Sequence, residues 1–135
     1  MQVFYINLQR RQDRNEEFLR RNSHCADCCR VNAPEGHLLR IDDLLADGLI
    51  AEPLEAYSLG VLACALSHKE LWQRAVSTAA PMTIAEDDAV LNRCFSARAA
   101  KVMARLPADW DIVLWVCSVP QSVRLVSSPG LVGER

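Results

Sequence analysis

Short apolar runs alternate along the chain with longer polar or amphipathic stretches. The short runs are rich in β-branched and aromatic residues, which predicts buried strands. They lie at 3–8 (VFYINL), 28–33 (CCRVNA), 82–85 (MTIA), 111–117 (DIVLWVC) and, more weakly, 123–126. Strands that alternate with helices predict an α/β fold whose mostly parallel sheet is covered on both faces.

Helical patterns occupy the stretches between these strands. A charged surface helix is predicted within 9–24, a short helix at 41–50 and a third helix at 94–106, ended by Pro107. The longest helix follows Ser58, a suitable N-cap. In it, side chains spaced three to four residues apart predict a stripe that faces the core, namely Val61, Ala65, His68, Trp72 and Val76.

Length and charge limit the class of protein. The chain has 135 residues, 50% of them hydrophobic, which suits one modest domain. Its net charge of −2 argues against nucleic acid as a partner. No apolar run approaches the roughly 20 residues that span a bilayer, and the first residues lack the pattern of a signal peptide. We therefore predict a cytoplasmic protein.

Six cysteines are many for this length. The segment HCADCC, residues 24–29, suggests zinc, but a structural zinc site usually takes a second pair of ligands elsewhere in the chain. No such pair is visible, so we favour small residues in a turn and at a strand start. In the cytoplasm these thiols are expected to be reduced.

Three adjacent carboxylates, Glu86, Asp87 and Asp88, follow the strand at 82–85. If the strand continues through them, Glu86 and Asp88 point to one side and Asp87 to the other. Carboxylates at i and i+2 can bind Mg²⁺ or Mn²⁺, and the metal can bridge a diphosphate. An acidic cap at a helix start, or a solvated turn, is the alternative. The pattern alone leaves both interpretations open.

A basic cluster, Arg10, Arg11 and Arg14, follows the first strand. On a helix Arg10 and Arg14 would share a face, which suits a phosphate, but nearby acids could instead make this a neutralised surface. His68 is first expected to line the core, with a ligand or base role as the alternative. Because the basic and acidic clusters both follow strand ends, we expect them to share one crevice.

Five blocks in this order resemble the N-terminal half of glycosyltransferase family 25, the lipooligosaccharide-type glycosyltransferases. They read VFYINLQRRQDR, RVNAPEG, LGVLACALSHKELWQRAV, IAEDDAVL and LPADWDIVLW. The family typically has I-N-L-x-R-x-x-x-R, A-x-D-G, G-E-x-G-C-x-L-S-H-x-x-x-W and L-E-D-D-A. The chain departs from it at Glu35 (usually Asp), Val61 (Glu), Ala63 (Gly) and Ala85 (Leu).

The resemblance implies a Rossmann-like, GT-A-type α/β domain with a mostly parallel sheet flanked by helices. Residues 1–135 would form a single nucleotide-sugar-binding domain. Such domains usually continue for about another hundred residues, so we expect a C-terminally truncated form.

The resemblance also implies the roles of particular residues. Asp88, with Glu86, would bind Mn²⁺ or Mg²⁺, and Asp87 or Glu86 would bind the ribose or a metal-bound water. Five residues would lie around the UDP-sugar donor: Asn7, Arg10, Arg14 and the family's Ser-His pair, Ser67 and His68. The catalytic base stays unassigned, because in this architecture it would come from later in the chain.

The expected function is metal-assisted, inverting transfer of a hexose, typically galactose, from a UDP-sugar to a lipopolysaccharide or lipooligosaccharide acceptor. This would place the protein at the inner face of the membrane, with peripheral membrane association. An inactive truncated domain that binds a nucleotide sugar or a protein is the alternative, and a nucleotidyltransferase is a third option. An exposed sheet edge would favour a homodimer.

Overall fold

The computed structural model describes residues 1–50 and 57–115. Strands and helices alternate through this part of the chain, as the sequence predicts. The strands are β1 (Val3–Leu8), β2 (Cys28–Ala33) and β3 (Thr83–Glu86), and the helices are α1 (Gln12–Arg21), α2 (Ile41–Ala46), α3 (Leu59–Thr78) and α4 (Phe95–Met103), with a 3₁₀ turn at Gly36–Leu38.

The three strands form a parallel sheet in the order β2-β1-β3. Val3 of the central strand pairs with Cys28 on one side and with Thr83 on the other. The chain therefore leaves β1 for one side of the sheet and returns to the opposite side for β3. In parallel sheets a crevice opens beyond the carboxyl ends of the strands where the order reverses. The predicted α/β, Rossmann-like fold is confirmed.

Helix α1 covers one face of the sheet. Phe18 is buried and its ring stacks on Tyr5, with 4.0 Å between the ring centroids. The Tyr5 hydroxyl donates a hydrogen bond to Asn15 Oδ1 at 2.8 Å, and burial raises the pKa of Tyr5. Because side chains alternate along a strand, Tyr5 and Asn7 face α1, whereas Phe4 and Ile6 face the opposite side.

Helix α3 covers that opposite face. Its buried Leu71 packs against Phe4 and Ile6, and Val31 and Ile84 complete this cluster. The Ser58 side chain accepts a hydrogen bond from the Val61 amide at 3.3 Å, so the predicted N-cap of this helix is confirmed.

The predicted core stripe of α3 is wrong. Trp72 is 49% exposed and Val76 is 82% exposed, and Val61 and Ala65 are exposed as well. The residues that this helix buries are Leu62, Ala63, Ser67 and Leu71. Apolar residues lie on both sides of α3, so their spacing is compatible with two different buried faces. The face that contacts the sheet is not the predicted one.

The predicted strand at 111–117 is also wrong over its described part. Residues 111–115 form no strand, and Ile112 and Leu114 are exposed. Their apolar neighbours are partly buried by side-chain packing instead. The rings of Trp115 and Phe95, for example, pack edge to face with 5.4 Å between their centroids. Residues 116 and 117, and the weak strand at 123–126, lie outside the described residues.

A glycine fixes the start of α3 beside the sheet. A Cβ on Gly36 would lie 2.8 Å from the carbonyl oxygen of Leu59, closer than such atoms approach. The 3₁₀ turn after β2 therefore touches the backbone at the beginning of α3, and only glycine permits this distance. None of the helices in the described ranges is long and apolar enough to cross a membrane.

Candidate functional site

A cavity of about 420 Å³ opens at the carboxyl ends of the strands. Its polar lining comes from segments that follow all three strands and from α3, including Arg10, Arg14, Glu35, Cys64, Glu86 and Asp87. The structure thus brings Arg10 and Arg14 of the basic cluster together with Glu86 and Asp87 of the acidic cluster in one crevice, whereas Arg11 and Asp88 are not among the residues that line it. A second cavity, of about 540 Å³, lies beside Pro81–Ile84 and is mostly apolar. The 420 Å³ cavity is the better candidate site because it concentrates charged side chains at the point where strand order reverses.

The acidic turn, Glu86–Asp88, divides between the two faces of the sheet. The strand does not continue through it as one of our interpretations assumed: β3 ends at Glu86, and Asp87 and Asp88 form a turn. The Glu86 side chain lies on the α3 side, where its Oε1 is 3.6 Å from His68 Nε2. Asp87 lies on the α1 side and is only 12% exposed, whereas Asp88 is 70% exposed.

Asn7 connects the end of β1 to the acidic turn. It is 1% exposed, and its Nδ2 donates hydrogen bonds to Asp87 Oδ2 at 2.6 Å and to the Arg11 carbonyl at 3.3 Å. Its Oδ1 accepts a hydrogen bond from Arg30 Nη2 at 2.6 Å. The amide therefore has partners on both of its ends and holds the orientation of Asp87.

Arg14 neutralises part of the acidic charge. Its Nη2 forms an ion pair with Asp87 Oδ1 and lies 3.4 Å from Asp88 Oδ2. Mutual repulsion of the carboxylates is thus reduced within the chain itself, before any cation binds. Asp87 is already bonded to Asn7 and Arg14. Asp88 is exposed and is therefore the more accessible of the two carboxylates to a ligand.

Arg10 occupies the rim of the cavity and not a helix face. Helix α1 begins at Gln12, so Arg10 precedes it and the predicted sharing of a helical face with Arg14 is wrong. The Arg10 Nε instead donates to both carboxylate oxygens of Glu35, at 2.9 and 3.1 Å. The residue between them in the cluster, Arg11, pairs with Asp13 and lowers the pKa of that carboxyl to about 2.

Sequence reasoning missed Arg30. From β2 this residue reaches across β1, where its Nη2 donates to Asn7 and to the carbonyls of Leu8, at 3.2 Å, and Gln9, at 3.3 Å. Its Nε is buried without a hydrogen-bond partner in the described part of the chain. A charged residue inside a predicted strand was the available signal.

The Ser67–His68 pair separates in the structure. Ser67 is buried and its hydroxyl donates to the Ala63 carbonyl at 2.8 Å, within α3. His68 is about a quarter exposed, lies beside Glu86 and has its ring centroid 5.9 Å from that of Trp72. Of the two, His68 is the one whose side chain reaches the acidic turn.

The acidic turn offers donors that suit the metal implied by the family resemblance. Glu86 is 55% and Asp88 is 70% exposed, so both present accessible carboxylate oxygens, which Mg²⁺ and Mn²⁺ prefer. By contrast, His24 and the cysteines of HCADCC form no group of three close ligand atoms among the described residues, and these cysteines are free.

A second asparagine holds the segment that follows the acidic turn. Asn22, at the end of α1, donates to the carbonyl of Ala89 at 3.0 Å, and its Oδ1 accepts from the amide of Leu91 at 2.7 Å. The same amide group also donates to Phe18 O at 3.0 Å. The turn is thus held by β3 on one side and by α1 on the other.

A charged crevice at the strand-order reversal of a parallel sheet is the usual ligand site of Rossmann-like α/β domains. The chain belongs to glycosyltransferase family 25, since the family model described as "Glycosyltransferase family 25 (LPS biosynthesis protein)" matches residues 1–121. The resemblance predicted from the five sequence blocks is confirmed.

One relative is Procollagen galactosyltransferase 1 of Danio rerio. It is 30% identical over 124 residues, which cover 83% of this chain and 20% of that protein. The chain therefore spans about a fifth of the length of this curated relative. No solved structure matches the chain significantly.

Proposed function

We propose that this domain is a GT-A-type glycosyltransferase that binds a UDP-hexose, UDP-galactose in the first instance, in the 420 Å³ cavity. The observation that carries this proposal is the meeting of Glu86 and Asp87 with Arg10 and Arg14 at one crevice of a family 25 domain. The cavity has the volume of a small-molecule site, for which roughly 300–1,000 Å³ is typical.

Arginine and the start of α3 would receive the diphosphate. A guanidinium has five N–H donors, so Arg10 and Arg14 keep free donors after pairing with Glu35 and Asp87. Gly60, in the first turn of the 20-residue helix α3, also lines the cavity. The positive end of a helix favours an anionic group at this position.

The acidic turn would hold the cation. Glu86 and Asp88 supply its carboxylate ligands, and Asp87 keeps the turn in place through Asn7 and Arg14. A divalent cation there would stabilise the charge that develops on the departing diphosphate. We assign no catalytic base.

The acceptor we propose is a lipopolysaccharide or lipooligosaccharide glycan, with inversion at the anomeric carbon. The name of the family, which mentions LPS biosynthesis, supports the acceptor, and the name of the zebrafish relative supports galactose as the sugar. A glycolipid acceptor would bring the protein to the cytoplasmic face of the membrane as a peripheral protein.

Nucleotide-sugar binding without transfer is the second candidate function. It is favoured by one observation: Arg14 already neutralises part of the acidic turn, so this turn can be stable without a metal. The two functions share the donor site and differ in whether a metal and an acceptor are used.

Calorimetric titration with UDP, in the presence and absence of Mn²⁺, tests the donor site. We expect Mn²⁺ to be required for tight UDP binding. Asp88→Ala should weaken that binding at least roughly tenfold, because removing even a residue that only supports a metal ligand typically lowers metal affinity 10–100-fold. Asp109→Ala, which changes an exposed acid far along the chain from the acidic turn, is the matched control.

Metal-independent UDP binding that Asp88→Ala leaves unchanged would rule out the metal-assisted reaction and favour the second candidate. Transfer of radiolabelled galactose to de-acylated lipooligosaccharide then separates an active transferase from a domain that only binds. No UDP binding under either condition would reject both functions.

A further inference from the structure

Three ligand-type side chains of different chemistry meet where α3 passes the end of β3. Cys64 Sγ, a ring nitrogen of His68 and a carboxylate oxygen of Glu86 all lie within 4.8 Å of one another, and in residues 1–50 and 57–115 they form the one such group. We propose that Cys64, His68 and Glu86 form a zinc site. The proposal does not depend on sugar transfer.

Local structure places the three ligands without strain. Cys64 and His68 are four residues apart on α3, so they share one helix face. Glu86 is the last residue of β3 and reaches the same point from the sheet. Both elements are held by the core, since Leu71 of α3 and Ile84 of β3 belong to the same packed cluster.

Glu86 accepts a long hydrogen bond from the Cys64 thiol, but its distance from His68 is longer than a direct hydrogen bond. Glu86 Oε1 lies 3.6 Å from His68 Nε2 and 3.8 Å from Cys64 Sγ. An N–H···O hydrogen bond is typically about 2.7–3.2 Å long. A tetrahedral zinc ion with bonds of about 2.0–2.3 Å holds neighbouring ligand atoms roughly 3.3–3.6 Å apart. These two distances are close to the latter spacing, and the third pair, Cys64 with His68, lies within 4.8 Å.

The zinc site shares Glu86 with the site proposed for Mn²⁺ or Mg²⁺ and differs from it in the other ligands, which are Cys64 and His68 in place of Asp88. Thiolate and imidazole favour zinc, whereas magnesium and manganese favour oxygen ligands such as Asp88. Three protein ligands leave a fourth position open, as in zinc sites that bind a water molecule or a substrate. Cys64 and Glu86 both line the 420 Å³ cavity, so this open position would face it.

Cobalt titration of the metal-free full chain tests the site directly. Co²⁺ replaces Zn²⁺ in such sites, and a Cys64 ligand would produce a thiolate-to-cobalt charge-transfer band together with the visible bands of tetrahedral cobalt. We expect one Co²⁺ per chain, displaced by Zn²⁺. Cys64→Ser should abolish the charge-transfer band. His68→Gln should keep thiolate character but weaken binding at least roughly 10–100-fold, the loss that even outer ligand contacts produce.

The matched controls remove other cysteines and acids. Binding should persist when exposed Cys94 becomes serine, in the triple variant Cys25→Ser/Cys28→Ser/Cys29→Ser, and in Asp88→Ala. The last control separates the two sites, because Asp88→Ala is expected to impair UDP binding with Mn²⁺ but not cobalt binding. Circular dichroism verifies that each variant is folded.

Two results would overturn the proposal. The first is a cobalt–thiolate band that survives in folded Cys64→Ser but disappears in the triple variant, which would locate the metal at HCADCC. The second is the absence of any thiolate band in the folded wild-type chain. If Cys64→Ser fails to fold, His68→Gln and Glu86→Gln decide: unchanged cobalt affinity in both would reject the site.

Discussion

At the scale of single residues, the buried amide of Asn7 joins β2, β1 and the acidic turn. It accepts from Arg30 and donates to Asp87, each at 2.6 Å. Asn7→Ala would leave the partly buried guanidinium of Arg30 and the mostly buried carboxylate of Asp87 each without one partner. We expect this substitution to lower the free energy of unfolding by about 1–3 kcal/mol, measured by urea denaturation.

Asn32→Ala is the control for Asn7→Ala. Asn32 is the residue of β2 that pairs with Asn7 in the sheet, but it is exposed, so its loss should change the free energy of unfolding by less than about 0.5 kcal/mol. Equal effects of the two substitutions would show that the strand position matters and the buried network does not.

The sequence identified only some residues of this site, for a physical reason. Asn7 lies near the end of β1, Arg14 lies in the helix that follows this strand, and the acidic turn begins at the end of β3. In a parallel sheet these strand ends meet at one edge. Arg30 contacts Asn7 only because β2 and β1 are neighbours in the sheet. The local sequence pattern does not determine the order of strands. Likewise, the direction of the Ser67 hydroxyl depends on the rotation of α3.

At the scale of elements, the close contact between the 3₁₀ turn and α3 gives a clear prediction. The Cβ of Gly36→Ala would meet the backbone of Leu59 at 2.8–2.9 Å, and a backbone group cannot turn away as a side chain can. We expect a loss of about 1–3 kcal/mol in the free energy of unfolding, which is typical of overpacking. Chemical denaturation measures it.

Gly60→Ala provides the comparison within α3. There the nearest atom to an added Cβ is Ser58 Oγ at 3.8 Å, an ordinary contact. Because alanine favours a helix over glycine, Gly60→Ala should be neutral or stabilising by up to about 1 kcal/mol. A Gly36→Ala variant as stable as Gly60→Ala would contradict the steric argument.

Sequence patterns located most elements but not the buried face of α3. The bounds predicted for the first two strands, 3–8 and 28–33, are those observed. Short apolar runs and N-caps are local signals, so the strands and the helix start that they predict are found in the structure. Which side of α3 meets the sheet is decided by long-range contact between Leu71 and the strands, and apolar residues on both sides of the helix concealed it.

At the scale of the whole molecule, ion pairs along α1 make the stability of the fold depend on pH in the acidic range. Arg20 and Arg21 lower the pKa of Glu17 to about 2, and Arg11 lowers that of Asp13 to about 2; their ordinary pKa values are 4.5 and 3.8. A pKa below its unfolded value means that the folded state favours the ionised carboxylate. This stabilisation is present above those ordinary values and is lost as the pH falls toward about 2.

We therefore expect the melting temperature to fall as the pH is lowered from roughly 5 to roughly 2, as recorded by circular dichroism. The double variant Asp13→Asn/Glu17→Gln should show a shallower fall and approach wild type at the lowest pH. The difference should be modest and should shrink in high salt, because both acids are on the surface. Glu16→Gln, an exposed acid on the same helix, is the control. A double variant that follows the wild-type curve at low salt would contradict this assignment.

The asparagine at the end of α1 has a consequence for the thermodynamics of ligand capture. Because Asn22 bonds the backbone of both Ala89 and Leu91, the residues after the acidic turn lose their conformational freedom when the chain folds. A ligand that arrives later has little disorder left to remove there. The entropic penalty of binding at Glu86–Asp88 is correspondingly small, so even a few weak contacts at this turn can contribute to affinity.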